Sequence, residues 1–324
     1  MNYEARKTAA TATVARWEWY TWPGLDPRPL HFERDLLKPG RRLDARPPLN
    51  RDVLRIGFDT EGRVAVTEKY SGFLRGRLNY ETFMRYAGDV VEAAHFDADG
   101  QRIYLHEYRY VDGLMRSAEL TARRGSDRES YEYTDGLITR VLHDLTPRLV
   151  AEHDDHGLVR IVAGRELRYE RPPAGFDLEA ECRAVEDALV ALVPEAVAAL
   201  KFDGPVSRIA LSYHLANDLD CEIYIATDVD AEYEWSPPDY NYVADIDLGN
   251  TGPIRLVRQE LTLLDADDHD AGAGSEWGRR VMCAAATRLR THDWTAVFPV
   301  TADFLLYTVD LELVDLERNL AECG

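Results

Sequence analysis

The sequence predicts a mainly β protein with an α+β part: a twisted, multi-hairpin antiparallel sheet followed by a smaller α+β domain. Three observations predict it. Residues 52–170 alternate apolar and polar side chains in short runs punctuated by Asp-Gly turns. From residue 177 onward, apolar stripes at helical spacing are mixed with strand-like runs. The charge balance also breaks near residue 200. Residues 201–324 hold 24 acids and 9 bases, a net of −15, whereas the first 200 carry only −5 of the total −20. A chain of 324 residues with 45% apolar side chains has enough material for two cores.

Residues 1–50 read as an aromatic, proline-rich extended segment packing on the sheet. Trp17, Trp19, Tyr20 and Trp22 precede WPGLDPRPL and DARPPLN, and so many prolines preclude long regular elements. Two roles are open to these rings: filling gaps in the core of the β region, or forming an exposed binding patch.

Residues 51–172 read as an antiparallel β-meander. VLRIGFDTEGRVAVTEKY turns at Thr60–Gly62, VVEAAHFDADGQRIYLHEYRY turns at Asp99–Gly100, and YRYVDGLMRSAEL, YEYTDGLITRVLH and AEHDDHGLVRIV repeat the device. Asp-Gly is a strong hairpin signal because glycine accepts the positive φ of a tight turn. Strand alternation places Tyr104, His106, Tyr108 and Tyr110 on one face, with Ile103, Leu105 and Glu107 on the other. Gly113, Gly136 and Gly157 recur at the interval of a hairpin repeat, and the sheet is expected to hold eight to ten strands. Its open faces need covers, which residues 1–50 and the C-terminal domain are available to supply.

The unit Tyr133-Thr134-Asp135-Gly136-Leu137-Ile138-Thr139-Arg140 resembles the YD repeats of Rhs and teneurin-type β shells. The resemblance extends over about 52–170 and implies a curved sheet built from repeated hairpins, with far fewer repeats than a closed shell contains.

Residues 173–324 read as an acidic α+β domain, joined through RPPAGF. Asp177 is placed to cap a helix, with Glu179 and Glu181 in its first turn. Leu178, Cys182, Val185, Leu189 and Leu192 form the apolar stripe. Pro194 is expected to end or kink this helix, leaving a short second one to Leu200. SRIALSYH and LDCEIYIATDV read as strands, WSPPDYNY as loop and 254–264 as strand or helix. DADDHDAGAG reads as an acidic loop, and SEWGRRVMCAAATRLRTHDW as a helix capped by Ser275. FPVTADFLLYTVDLEL reads as an edge-to-centre strand and VDLERNLAECG as a tail or short helix.

The candidate site is a row of acids sharing one parity: Asp218, Asp220 and Glu222, then Asp228, Asp230, Glu232 and Glu234, opposite Cys221, Ile223 and Ile225. Carboxylates so close repel, so the row calls for a cation, a basic partner or arginine neighbours. Asp265–Asp270 is rich in oxygen ligands but lacks the glycine that a calcium loop needs at its sixth position. No CxxC, GxSxG, GxGxxG or phosphate loop occurs, so no catalytic residue, metal site or cofactor is assigned. Cys182, Cys221, Cys283 and Cys323 lie far apart in sequence and read as buried thiols of a cytoplasmic chain. No apolar run is long enough to span a membrane, and the acidic balance argues against nucleic acid.

Three functions compete. The first is a protein-recognition module that neutralises a basic partner, the second a carboxylate-dependent hydrolase, and the third a structural module. Acidic bacterial proteins of alternating β and α text resemble immunity proteins of polymorphic toxin systems, and the closing FLLYTVDLELVDLERNL is similar to domains met in that setting. The resemblance implies an inhibitor whose carboxylates match the basic groups of a toxin.

Overall fold

The computed structural model describes residues 2–50, 52–213, 219, 221–227, 235–246, 248–249, 252–267 and 273–323. The chain divides into two compact units, Met1–Arg171 and Pro172–Gly324.

In the first unit, alternation and turn chemistry yield one antiparallel sheet. Its strands are β1 (Arg16–Thr21), β2 (Arg42–Leu43), β3 (Val53–Phe58), β4 (Val64–Ser71), β5 (Arg77–Ala87), β6 (Val90–Asp97) and β7 (Arg102–Val111). They continue with β8 (Leu114–Ala122), β9 (Gly125–Thr134), β10 (Leu137–His143), β11 (Thr146–Asp154), β12 (Gly157–Ala163) and β13 (Glu166–Glu170). From β3 to β13 each strand pairs with its sequence neighbour, and β1 inserts between β3 and β2. The sheet thus has 13 strands, more than the eight to ten expected. Two of them, β1 and β2, come from residues 1–50; β3 to β13 still exceed the expectation for 52–170 through turns without an Asp-Gly signal, at Gly88, Arg123-Arg124, Asp144-Leu145 and Gly164.

The Asp-Gly turns themselves form as read. Asp112 and Gly113 have φ of 51° and 76°, and Asp135 and Gly136 have 52° and 80°. Positive φ at both central residues belongs to the turn that continues strand twist. Elsewhere an aspartate closes its own turn: Asp59 accepts from the Glu61 and Arg63 amides, and Asp97 from those of Asp99 and Gln101. Register shifts at Gly57/Phe58, His95/Phe96 and Arg109/Tyr110 mark bulges, which add local twist.

Both faces of the sheet carry apolar clusters. On one, Tyr108, Met115, Ala118, Tyr131, Val141, Leu149 and Ile161 are buried, with Leu30 packed against them. On the other, Val66, Phe83, Ala94 and Phe96 pack against helix α1 (Tyr3–Thr11) through Ala10 and Tyr3. The sequence pattern does not announce this helix, because YEARKTAAT carries small and charged side chains and no run of large apolar ones. Asn2 caps it by accepting the Ala5 amide at 3.0 Å. Glu81, only 1% exposed beneath it, binds Lys7 at 2.8 Å and also accepts the Tyr3 hydroxyl. Trp17 and Trp19 lie on β1, each under an arginine (Arg55 at 4.1 Å, Arg46 at 5.8 Å).

The second unit builds a four-stranded sheet from β14 (Val206–Tyr213), β15 (Cys221–Ala226), β16 (Tyr242–Ile246) and β17 (Val300–Asp310), in the order β16-β15-β14-β17. Only β14 and β17 run parallel. Every residue of β14 is buried, the polar Ser207, Arg208 and Ser212 included, as expected of a strand covered on both faces. Helices α3 (Leu178–Ala198), α4 (Gly252–Asp267) and α5 (Ala273–Leu289) supply Leu189, Val193, Leu261, Met282 and Leu289 to one core. Tyr307, Val309 and Ala210 face the opposite way, against Leu316 and Leu320 of α6 (Leu316–Cys323).

Three expectations need correction. Helix α3 runs unbroken through Pro194, because Val193 and Val197 are fully buried on either side and their packing outweighs the lost backbone bond. The alternative at 254–264 resolves to a helix, and 242–246 form a strand that starts where the predicted loop ends. Ser275 lies inside α5, where its amide and hydroxyl donate to Asp265 of α4 at 2.8 and 2.7 Å. Strand β17 is at the sheet edge, its apolar content explained by α5 and α6 packed on it. Asp177 does cap α3, accepting the Glu179 and Ala180 amides. All four cysteines are buried and unbridged. Among the described residues no helix is long and apolar enough to cross a membrane.

Candidate functional site

Of the acidic row, Asp218, Asp220, Asp228, Asp230, Glu232 and Glu234 lie outside the described residues. Glu222 is exposed on β15 and points away from the core holding Cys221, Ile223 and Ile225. The Tyr224 hydroxyl donates to it at 2.5 Å; that bond first, and burial second, push the phenol up to about 12. Across the strands Glu222 faces Ser212 on one side and exposed Asp245 on the other. Neither carboxylate has an ion-pair partner among the described residues. Of the acidic loop, Asp268 and Asp270 are likewise outside the description, while Asp265 ties α4 to α5. Among the described residues no group of three His, Cys, Asp or Glu side chains is placed to hold a metal ion.

A second constellation forms in the first unit, on the sheet face that carries Tyr108. Alternation puts Asp127, Glu129 and Tyr131 of β9 on one side of the strand. Register aligns Glu129 with Ala118 of β8 and His143 of β10. Residues 22–40 cross over this face. Asp26 grips the Arg28 guanidinium at 2.8–3.2 Å and its amide at 2.9 Å, and the short helix α2 (His31–Arg34) aims Arg34 inward. Arg34 then donates to Glu129 at 2.9 Å, with both side chains 8% exposed. Tyr131 donates to the other oxygen of Glu129 at 2.8 Å, and Arg148 reaches the oxygen held by Arg34 at 3.5 Å.

Above this anchor lies a cavity of about 320 Å³, lined by Arg28, Arg34, His106, Asp127, Glu129, Arg148 and Arg168, with Leu120 and Leu149 as apolar wall. That volume suits a molecule the size of a monosaccharide or amino acid. Beside it runs a file of rings, Tyr80–His95–Tyr104–His106–Tyr108, with centroids 4.3–5.5 Å apart and His95 stacked on Tyr104.

The electrostatics follow from burial. It pulls the His106 imidazole down to about 4, and the Arg28 charge pulls the same way. His95 falls to about 4 through burial first, then through repulsion by His106 and Lys69. Burial raises Asp26, but the hydrogen bonds and charge of Arg28 outweigh it and leave the carboxyl below its usual range. Burial, then the charge and hydrogen bond of Glu129, hold the Tyr131 phenol well above its ordinary value. At neutral pH the cavity therefore presents the neutral His106 imidazole beside fixed guanidiniums, with His95 and the phenols in the ring file next to it.

Sequence reasoning missed this site by treating 1–50 as a cover and the sheet as scaffold. One signal was present: in SDRESYEYT, Asp127 and Glu129 share parity with Tyr131 and Tyr133, so two acids occupy the inward register of an aromatic strand. No family model matches the chain, and no curated protein matches it.

Proposed function

We propose that the chain is a recognition protein whose first unit binds a small organic anion in the cavity beneath residues 22–40. The observation that supports this reading is the buried Glu129, which holds Arg34 from below and steadies Arg148. Arg148 and Arg168 stand at the rim, 56% and 47% exposed, and their present pairs with Glu129 and Glu166 are loose or solvent-exposed. The exposed Arg168–Glu166 pair is worth about 0–1 kcal/mol, and the Arg148 contact is long while Glu129 keeps Arg34 and Tyr131, so both guanidiniums can turn onto a carboxylate or phosphate. Asp127 and Asp35, also on the lining, favour a ligand that carries hydroxyl or amino donors as well.

A carboxylate hydrolase requires one desolvated acid free to give up a proton and one exposed partner. Glu129 is buried and Asp127 is 46% exposed, but Glu129 is engaged by Arg34, Arg148 and Tyr131, and Asp127 by His143. Acids so occupied serve better as anchors than as proton donors. Calorimetric titration with inorganic phosphate, a sugar phosphate and a hydroxylated dicarboxylate tests the binding reading. At least one is expected to bind, with affinity falling at least tenfold in Arg148→Ala/Arg168→Ala and at high salt. Equal response of the wild type and the double variant to all three would overturn it.

The second reading is recognition of a basic protein by the acidic second unit, in the manner of an immunity protein. It is favoured by Glu222 and Asp245, adjacent across two strands and without a cation among the described residues. A basic protein co-purifying in equal amount at low salt, and lost with Glu222→Gln/Asp245→Asn, is the outcome it requires.

A further inference from the structure

The second unit contains a feature unrelated to either reading. Cys283 on α5 and Cys323 on α6 are separated by 40 positions in sequence, yet their sulfur atoms lie 2.6 Å apart. That is well inside the contact distance of two unbonded sulfurs and only somewhat longer than a disulfide bond, about 2.05 Å. The other two thiols, Cys182 and Cys221, are buried elsewhere in the core.

We propose that Cys283 and Cys323 form a reversible disulfide, making this pair an oxidative modification site that staples α6 to α5. Their surroundings are arranged around the two sulfurs. Arg279, one turn before Cys283, places Nη1 3.6 Å from its sulfur and donates to Asn319 Oδ1 at 2.8 Å. Asn319 is fully buried and donates in turn to the Tyr213 hydroxyl at 3.0 Å, while its carbonyl accepts from Cys323 at 3.1 Å. The helix α6 is thereby registered on α5 with the thiols facing.

The two thiols also differ in readiness. The hydrogen bond from Cys323 lowers Cys283 against the effect of burial, and the Arg279 guanidinium adds to the lowering. The same bond, and burial, raise Cys323. Cys283 is therefore the attacking sulfur. With oxidised glutathione as oxidant, the Cys283 thiolate attacks one of its sulfurs, breaking that disulfide and releasing one glutathione thiolate. The Cys323 sulfur, losing its proton, then attacks Cys283 and releases the second glutathione. The protein gives up two protons and two electrons, and the oxidant becomes two glutathione thiols. Both sulfurs are buried, so the reaction proceeds through local opening of α6, a helix of only two turns.

The test equilibrates the folded full chain in glutathione buffers from reducing to oxidising, starting from both reduced and oxidised protein. Thiols are then blocked under denaturing conditions and peptides mapped by mass spectrometry. The expected product joins peptide 281–288 to 319–324 with the loss of two hydrogen atoms, while Cys182 and Cys221 are blocked. Hydrogen exchange across 316–323 is expected to slow at least tenfold on oxidation, since opening α6 then requires breaking the link. Blocked Cys283 and Cys323 at every ratio from both starting points would overturn the proposal, as would a disulfide that includes Cys182 or Cys221. Approach from both directions separates unfavourable pairing from slow pairing, and the wild-type measurement does not depend on a variant that folds.

Discussion

Lowering the pH from 7.5 to 4.5 should destabilise the first unit through two histidines well before the carboxylates respond. His95 and His106 are each displaced from 6.5 to about 4. Around His95 stand Tyr80, Thr82, Tyr104, His106 and Lys69; around His106 stand Tyr104, Tyr108, Arg28, Asp26 and Glu129. Between pH 6.5 and 4 the unfolded chain takes up protons that the folded one refuses. Stability is thus complete above pH 6.5 and declines as pH falls towards 4. The undiscounted figure is about 3 kcal/mol for each imidazole. Partial exposure reduces it to about 2 kcal/mol each, and mutual repulsion makes the two non-additive. Asp26, held below its usual range, adds a loss only at lower pH, as its carboxyl protonates. The assay is urea denaturation across this pH range, read by hydrogen exchange in 102–111, with histidine ring deuteration as a direct titration. In His95→Gln/His106→Gln the decline between pH 6.5 and 4 should flatten. Ring titration near 6.5 for both residues, or an unchanged slope in the double variant, would refute the reasoning.

Two further outcomes follow from buried contacts. Glu129→Gln leaves buried Arg34 with only the half-exposed Asp35 carboxylate, 3.6 Å away, as counter-charge and should cost about 3 kcal/mol, with faster exchange in 26–35. Replacing both partners by methionine should recover most of that loss, and a double variant no better than the single would refute the pairing. Pro194→Ala restores an amide donor inside α3 and should raise the stability of the second unit by about 1–3 kcal/mol; a neutral or negative change in its denaturation midpoint would show that the local backbone has adapted to the ring.

Local chemistry carried most of the secondary structure into the text. Asp-Gly turns, the alternation of Tyr104, His106 and Tyr108, and the Asp177 cap are nearest-neighbour effects, readable wherever the residues stand together. Where local signals were weak, the reading failed. Helix α1 gains its stability from Phe83 and Phe96 beneath it, α3 keeps its course past Pro194 because a core grips both sides, and the turns at Gly88 and Gly164 lack a distinctive pair of residues.

The sequence by itself determined a large hairpin sheet, an acidic α+β companion and the inward register of Glu129. Only the tertiary structure decided what Glu129 meets. Arg34 lies 95 positions away in a segment whose prolines reveal its irregularity but not its path, and Cys283 meets Cys323 across 40. Periodicity records which side of a strand or helix a residue occupies. Which distant side chain arrives opposite it depends on the folding of every element between, because the burial that makes such pairs strong belongs to the assembled core.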